Sequence, residues 1–258
     1  MKIAIAGASG TVGRHVVEAA RQGGHEVVAL TRGTGVDVRE PGTVRTALDG
    51  VEAVIDVLNL MSPSGRKATE FFEATSKVLL DAGASVGVRH HVTLSIVGID
   101  RAPHGYYAAK LAQERAVGSG PVPWTIQRAT QFHDFARQMY ELLRLGPLRL
   151  APRGRVQPVD TGELGQRLVE LAQGDPLGLA PDFAGPQEEN LVEMVRCYAR
   201  AQGAAGKIPA ISIPGGLGRA QRDGSLLPGP GAVLGTRTYS DWLADQGVRP
   251  HGEASTAT

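Results

Sequence analysis

The glycines at positions 7, 10 and 13 constrain the fold of this chain more than any other feature, because of what stands on either side of them. The residues before them, 3–6, form an apolar run that is typical of a strand buried on both faces of a parallel sheet. The residues after them, up to 22, carry apolar side chains at helical spacing. A strand, a glycine-rich turn and a helix in this order form the setting that a dinucleotide-binding fingerprint requires.

Each glycine of this turn has its own expected role. Gly7 permits the tight turn, Gly10 lets the backbone approach a pyrophosphate, and Gly13 allows the helix to pack closely on the strand. The unpaired amides at the start of the helix favour an anion there. The pattern therefore predicts pyrophosphate binding between the first strand and the first helix.

Strand-like and helical segments then alternate along the first half of the chain. The sequence predicts strands at 3–6, 26–30, 53–58, 92–95 and 124–127, and helices at 11–22, 44–48, 71–82 and 106–117. Alternation at this pitch indicates βαβ units with right-handed crossovers. The predicted fold class is α/β, a Rossmann-type doubly wound parallel sheet with a small C-terminal substrate lobe.

Glycines and prolines divide the chain beyond residue 145 into short pieces, and helical spacing remains only at 163–173 and 187–201. We therefore assign residues 1–150 to a dinucleotide-binding Rossmann domain and residues 151–258 to a substrate-binding lobe packed on it, as a single compact unit. The loops of this lobe are expected to determine substrate choice.

Charge and cysteine content limit the kinds of partner. The chain has 27 Lys and Arg residues against 26 Asp and Glu residues, and a net charge of +1 provides no general field for nucleic acid or a membrane surface. A single cysteine, Cys197, agrees with a reducing cytoplasm. His90 and His91 would point to opposite faces of a strand, so we expect no metal site. The expected partner is a small-molecule substrate, bound by a cytoplasmic monomer or homodimer.

The end of the second predicted strand indicates which dinucleotide is bound. An acidic residue at this position would bind the ribose 2′-hydroxyl of NAD, but the sequence has Arg32 there, and a guanidinium suits the 2′-phosphate of NADP. Arg14, directly after the glycine turn, could assist Arg32 in this contact. We therefore expect NADP(H) to be preferred over NAD(H).

Ser95, Tyr106 and Lys110 form a candidate catalytic group. Tyr106 and Lys110 are four residues apart on one helix face, so the ammonium is expected to lower the pKa of the phenol. Ser95 ends a predicted strand, and ligands of open parallel sheets bind at the carboxyl ends of strands. Tyr107 lies three residues before Lys110, so either tyrosine could be the acid or base.

Similarity to a known family is carried by segments along nearly the whole chain: GASGTVGR (7–14), LSIVGID (94–100), YYAAKLAQE (106–114), WTIQRATQFHDF (124–135), VQPVD (156–160) and GTRTYSDWLA (235–244). In these segments the chain resembles the atypical short-chain dehydrogenase/reductases of the NmrA-like or extended NAD(P)-binding type.

The resemblance implies roles for individual residues of this chain. It assigns Ser95, Tyr106 and Lys110 to the catalytic trio, with Lys110 also on the ribose hydroxyls. It places the remaining cofactor contacts at Gly7, Ser9, Gly10, Thr11 and Val12 for the pyrophosphate, Arg32 and Asp37 for the adenosine, and Asn59 for the nicotinamide ribose. Gln131 and Phe132 would flank the nicotinamide and the substrate.

The predicted activity is that of an NAD(P)H-dependent oxidoreductase that transfers a hydride to or from a small carbonyl, alcohol or quinone-like substrate. Two alternatives remain open. One is a non-catalytic regulator that binds NADP and senses redox state, and the other is a redox-neutral epimerase or dehydratase.

Overall fold

An eight-stranded sheet organises the fold, and all its strand pairings are parallel. The computed structural model describes residues 1–60, 62, 64–204 and 206–246. The sheet begins with β1 (Lys2–Ala6), β2 (Glu26–Leu30), β3 (Ala53–Asp56), β4 (His90–Ile96) and β5 (Trp124–Ala129). The later strands are β6 (Arg144–Leu145), β7 (Leu148–Arg149), β8 (Ala151–Pro152), β9 (Arg155–Val156), β10 (Gly178–Leu179), β11 (Phe183–Ala184), β12 (Glu189–Asn190), β13 (Ala210–Ile211) and β14 (Val233–Leu234).

The helices connect the strands and cover the sheet. They are α1 (Gly13–Gln22), α2 (Pro41–Ala47), α3 (Gly65–Val86), α4 (Tyr106–Gly118), α5 (Phe135–Leu142), α6 (Thr161–Gln173), α7 (Leu191–Ala201), α8 (Gly215–Asp223) and α9 (Tyr239–Asp245), with a 3₁₀ turn at Arg32–Thr34. No helix within the described part of the chain is both long and apolar enough to cross a membrane.

Strands of the sheet run in the order β14-β11-β5-β4-β3-β1-β2, with β10 also paired to β5. Strand β2 pairs with one side of β1, and the next strand, β3, pairs with the other side of β1. The topological switch point therefore lies between β1 and β3, which is where open α/β sheets bind ligands. The predicted fold class, a doubly wound Rossmann-type sheet, is confirmed.

Alternate side chains of each central strand pack into different layers. Ile3 and Ile5 of β1 are fully buried against α1 and α6, whereas Ala4 and Ala6 lie in the opposite layer with residues of α2, α3 and α4. This alternation follows from the two-residue period of a strand, and the apolar run of β1 reflects burial on both faces.

Helices α5, α8 and α9 were not predicted from the sequence, and the reason is clearest in α8. In α8, Gly215, Gly216 and Gly218 are poor helix formers. A Cβ at Gly218 would lie 1.9 Å from the carbonyl oxygen of Ile213, and Arg222 donates to that same oxygen. The sequence of α8 is thus explained by close packing of the helix on its own preceding segment.

The helix predicted at 187–201 begins later, at Leu191. Glu189 and Asn190 form strand β12 with β9, and the side chain of Asn190 then caps the helix by accepting from the amide of Val192 at 3.0 Å. Asparagine is a strong N-cap, so the helix start is set by this residue.

The chain after residue 150 contributes to two separate packing regions. Helix α6 packs on α1 beneath the sheet, whereas α7 and α9 form a separate apolar cluster with α5 around Leu191, Tyr198 and Trp242. The division at residue 150 stays a prediction, and its last part, 247–258, lies outside the described residues.

Candidate active site

A cleft of about 880 Å³ runs along the carboxyl ends of β2, β1, β3, β4 and β5. We call the lining residues that follow β1, β2 and β3, as far as Asn59, the dinucleotide half. The substrate half comprises Leu60, Phe71, and the lining residues from the ends of β4 and β5, from α5 and from α8. Between the halves stands the start of α4. The site residues that the family resemblance assigns all line this cleft: Gly7, Ser9, Gly10, Thr11, Val12, Arg32, Asp37, Asn59, Ser95, Tyr106, Lys110, Gln131 and Phe132.

The glycine turn is closely packed. Gly7 has a φ of +84°, and the amide of Gly10 donates to its carbonyl oxygen at 2.9 Å. A Cβ at Gly13 would lie 2.0 Å from that same oxygen, so only glycine fits there. No side chain caps α1. The amides of Arg14 and His15 donate to the carbonyls of Gly10 and Val12, so the amides available to an anion are those of Thr11 and Val12 in the turn itself. The turn therefore fits a pyrophosphate.

Arg32 and Asp37 lie at the β2 end of the cleft, together with a residue that the sequence analysis missed. Arg39 donates to both carboxylate oxygens of Asp37, through Nε at 3.0 Å and a terminal nitrogen at 2.6 Å. These hydrogen bonds and the nearby charge of Arg32 lower the pKa of Asp37 to about 2. Asp37 is thus a carboxylate held in place by Arg39. Arg14 does not line the cleft and instead donates to His15 at 3.3 Å.

Asn59 and Tyr106 join the two sides of the cleft. The phenol of Tyr106 donates to Oδ1 of Asn59 at 2.7 Å, which places the start of α4 against the loop after β3. Ser95 at the end of β4 is buried, and its hydroxyl has no hydrogen-bond partner among the residues that the structure describes. A buried hydroxyl without a partner is costly, so a bound ligand is a suitable partner for it.

Lys110 is held by a buried chain of polar groups. Its ammonium donates to the carbonyl oxygen of Leu94 at 2.8 Å and to Oε1 of Gln113, and it lies 4.8 Å from the ring centroid of Phe72. Gln113 in turn donates to the buried carboxyl of Asp56 at 2.9 Å. Burial lowers the pKa of Lys110 to about 8, although Asp56 and Glu114 oppose this, and burial raises the pKa of Asp56.

The expectation that Lys110 lowers the pKa of Tyr106 is not met in this structure. Burial, with a smaller effect of Tyr107, raises the pKa of Tyr106 instead, and burial raises the pKa of Tyr107 to about 12. The reason is geometric, because the Lys110 ammonium is directed at Leu94 and Gln113. Both phenols are therefore proton donors at neutral pH. Tyr107 also lines the cleft but packs against Ala102, Ala220 and Leu226.

Gln131 and Phe132 are positioned by the segment 156–160. The amide of Val159 donates to the carbonyl of Gln131 at 2.8 Å, and Phe132 forms a bridge with Val159. Asp160 then caps α6 and accepts from Arg237 at 2.9 Å. Three of the segments that carried the family resemblance are thus in mutual contact.

Several lining residues of the substrate half carry no signal in the sequence. Besides the predicted residues, the substrate half includes Leu60, Phe71, Ile96, Thr130, Phe135, Gln138, Met139, Leu142, Leu143, Ile213, Leu217 and Gln221. Half of them belong to α5 and α8, two helices that local patterns did not predict. By contrast, Asp56 at a strand end and Gln113 on the helix of Lys110 could have been found by their position.

His90 and His133 belong to the packed interior, whereas His104 is exposed and lines the cleft. His133 is buried against Tyr239 and Trp242 and contacts the carbonyl of Arg237 at 3.1 Å, and His90 contacts Thr125 at 2.8 Å. In the described ranges no group of three or more His, Cys, Asp or Glu side chains could hold a metal ion.

Comparisons with known proteins agree with this geometry. Residues 34–156 match the model of a family described as NAD(P)H-binding. No curated protein matches the chain in sequence.

Solved structures with the same fold cover nearly the whole chain. The triphenylmethane reductase of Citrobacter sp., complexed with NADP(H), has a TM-score of 0.71 at 16% identity, over 96% of this chain and 100% of that one. A short-chain dehydrogenase/reductase superfamily protein from Agrobacterium tumefaciens with bound NAD has a TM-score of 0.68 at 18% identity, over 95% of each chain. An NADPH-dependent quinone oxidoreductase from Escherichia coli has a TM-score of 0.65 at 15% identity, over 95% and 99%.

These matches confirm the fold that the sequence segments indicated. Residues 34–156, just under half of the chain, match the NAD(P)H-binding family model, which supports dinucleotide binding, and the chain shares its fold with a short-chain dehydrogenase/reductase superfamily protein.

Proposed function

We propose that this protein is an NADPH-dependent oxidoreductase that reduces the carbonyl group of a small molecule. The observation that carries the proposal is that Ser95 and Tyr106 line the same cleft as the glycine turn, at the boundary between its two halves. Support also comes from fold neighbours described as an NADPH-dependent quinone oxidoreductase and a triphenylmethane reductase.

The roles of the side chains follow from their chemistry. Bound NADPH would supply a hydride to the carbonyl carbon, whose π bond to oxygen breaks as the new carbon–hydrogen bond forms. Tyr106 would donate its phenolic proton to the oxygen, so a ketone or aldehyde gives an alcohol; a quinone gives a hydroxy-dienone, which becomes a hydroquinone when the reduced carbon loses a proton and the second oxygen gains one. The raised pKa of Tyr106 suits a donor, since its proton is retained at neutral pH. Ser95, whose hydroxyl lacks a protein partner, orients the substrate oxygen.

The preference for NADPH rests on Arg32. Its guanidinium lines the β2 end of the cleft, and Asp37 is already paired with Arg39, which leaves Arg32 for a phosphate. Lys110, beside the ribose position in this proposal, supplies positive charge at the boundary of the two halves.

The test is NADPH oxidation, followed by absorbance, with quinones, aldehydes, ketones and enones as acceptors and NADH as the alternative donor. We expect NADPH-dependent turnover that falls about 10²- to 10⁴-fold in Tyr106→Phe, the usual contribution of a positioned general acid. Tyr107→Phe is the matched control and should retain turnover. Full activity of Tyr106→Phe would contradict the proton-transfer role. NADPH binding without turnover of any acceptor would instead support a regulator that only binds the dinucleotide.

A further inference from the structure

Charged side chains are distributed unequally along the cleft. Arg32, Asp37 and Arg39 lie in the dinucleotide half, and Lys110 lies at the boundary, where its ammonium is bonded to Leu94 and Gln113. Among the described residues, the substrate half contributes no carboxylate, ammonium or guanidinium group, and the imidazole of His104 lines the cleft beside Gly216 of α8. A phosphate or carboxylate bound there would lose its hydration without gaining an ion pair to a lysine or arginine, which is unfavourable.

Apolar side chains form most of the wall of the substrate half. Phe135, Met139 and Leu142 share one face of α5, Leu217 extends from α8, and Phe71 lies across from them on α3. Leu142 is 68% exposed and Leu217 is 37% exposed, although both are large apolar residues. Apolar surface that lines a cleft and stays open to water is typical of a site for an apolar ligand.

Gln221 is an exception within this apolar wall. It lies four residues after Leu217, so both side chains are on the same face of α8. The side chain is buried, at 8% exposure, and its Oε1 has no hydrogen-bond partner in the described part of the chain. Leaving a buried amide unpaired costs about 1–3 kcal/mol, so the group is stabilised when a ligand supplies the missing hydrogen bond. Gln131, at the end of β5, also has an unpaired Oε1.

We propose that the substrate is an uncharged, largely apolar carbonyl compound without phosphate or carboxylate groups, and that a second polar group on it hydrogen-bonds to the side-chain amide of Gln221. This inference rests on the proposed reductase function, because it concerns the same cleft. It gives α8 a role that local sequence patterns did not reveal: Gln221 determines which apolar carbonyl compounds are accepted.

Binding to the NADP⁺-loaded protein tests the inference without requiring turnover. The probes are 1,4-naphthoquinone, its 6-hydroxymethyl derivative, which is uncharged at neutral pH, and its 2-sulfonate, each titrated by calorimetry. We expect the sulfonate to bind at least tenfold more weakly than the parent compound, since its charge finds no partner. We expect the hydroxymethyl compound to bind more tightly than the parent compound.

Gln221→Leu should lower the affinity ratio of the hydroxymethyl to the parent compound about tenfold, the effect of one hydrogen bond in a dry site. The matched control is Gln173→Leu, the same change on the exposed surface of α6, which should keep the ratio. Thermal stability of Gln221→Leu should be unchanged or raised, because the substitution removes an unpaired buried amide.

Each outcome separates this inference from the proposed function. Equal affinity for the sulfonate, an unaltered ratio in Gln221→Leu, or no binding of any of the three probes would overturn the inference even if another acceptor is reduced. The expected binding pattern without NADPH oxidation would support the inferred ligand class and contradict the reductase function.

Discussion

The dinucleotide half of the cleft is formed by residues that directly follow three neighbouring strands, whereas the substrate half also uses side chains from helices in distant parts of the chain. Gly7, Gly10 and Gly13 lie within one turn, but Phe71, Met139 and Gln221 come from three separate helices. The first half is set by local conformation that glycine alone permits, and the second is set by how helices dock. The two halves should therefore respond differently to substitution.

Gly13→Ala should give the largest effect, because the new Cβ would lie 2.0 Å from the carbonyl oxygen of Gly7. A backbone atom cannot move aside as a flexible side chain can, so we expect a loss of about 4 kcal/mol or more in the free energy of unfolding, with loss of dinucleotide binding. Urea unfolding and NADPH titration measure the two effects. Gly42→Ala in α2, where no atom lies within 4 Å, should be neutral or slightly stabilising. If the Gly13→Ala and Gly42→Ala variants were equally stable, the close packing at Gly13 would not be required for stability.

Arg32→Ala tests the side-chain part of the dinucleotide half. Loss of one charge-assisted contact to the 2′-phosphate should reduce the affinity ratio of NADPH to NADH by about tenfold or more. Fluorescence titration with both dinucleotides gives the ratio. The control, Arg14→Ala, removes an exposed arginine beside the same turn that does not line the cleft. If the affinity ratio changed in Arg14→Ala but not in Arg32→Ala, the 2′-phosphate would be bound by Arg14 and the assignment to Arg32 would be wrong.

Gln113→Leu tests the buried groups between the halves. The substitution leaves the Asp56 carboxyl and the Lys110 ammonium without their shared partner, so we expect a loss of about 2 kcal/mol in the free energy of unfolding. Urea unfolding measures this, beside Gln22→Leu on the exposed surface of α1. If both variants were equally stable, the chain of groups from Asp56 to Lys110 would have no energetic importance.

The pH dependence of stability should show a smaller effect of Lys110. Its pKa in the folded protein is about 8, below its usual value of 10.5, so between these values the unfolded chain binds more protons than the folded one. Stability should then rise with pH from 8 to 9.5, by roughly 2–4 °C in melting temperature, before the tyrosines ionise in the unfolded chain. Lys110→Met should lack the rise, and Lys67→Met, at an exposed site on α3, should keep it. A rise of equal size in Lys110→Met would assign the effect to another group.

The contrast between the halves also explains what the sequence alone could predict. The order of strands and helices up to β5 could be predicted because apolar runs and helical spacing are local, and the turn at Gly7 could be predicted because its conformation requires glycine. Helix α8 could not, since its glycines oppose helix formation and its contacts with Ile213 are visible only in the folded chain. The predicted pKa shift of Tyr106 was wrong for a similar reason. The spacing correctly placed Lys110 on the helix face of Tyr106, but the direction of the Lys110 ammonium is determined by the carbonyl of Leu94 and the side-chain amide of Gln113.

The packing of α6 on α1 has a consequence for how the chain folds as it is synthesised. Ile3, Ile5 and Ile55 lie in the layer that α6 covers with Leu164 and Leu168. Until the chain has been made through Gln173, this face of the sheet has no complete cover, and its apolar side chains are open to water or to other chains. The dinucleotide half therefore depends on helix α6, which is synthesised after all five central strands of the sheet. A nascent chain stopped before α6 should be retained by chaperones, or aggregate, although its glycine turn is already complete.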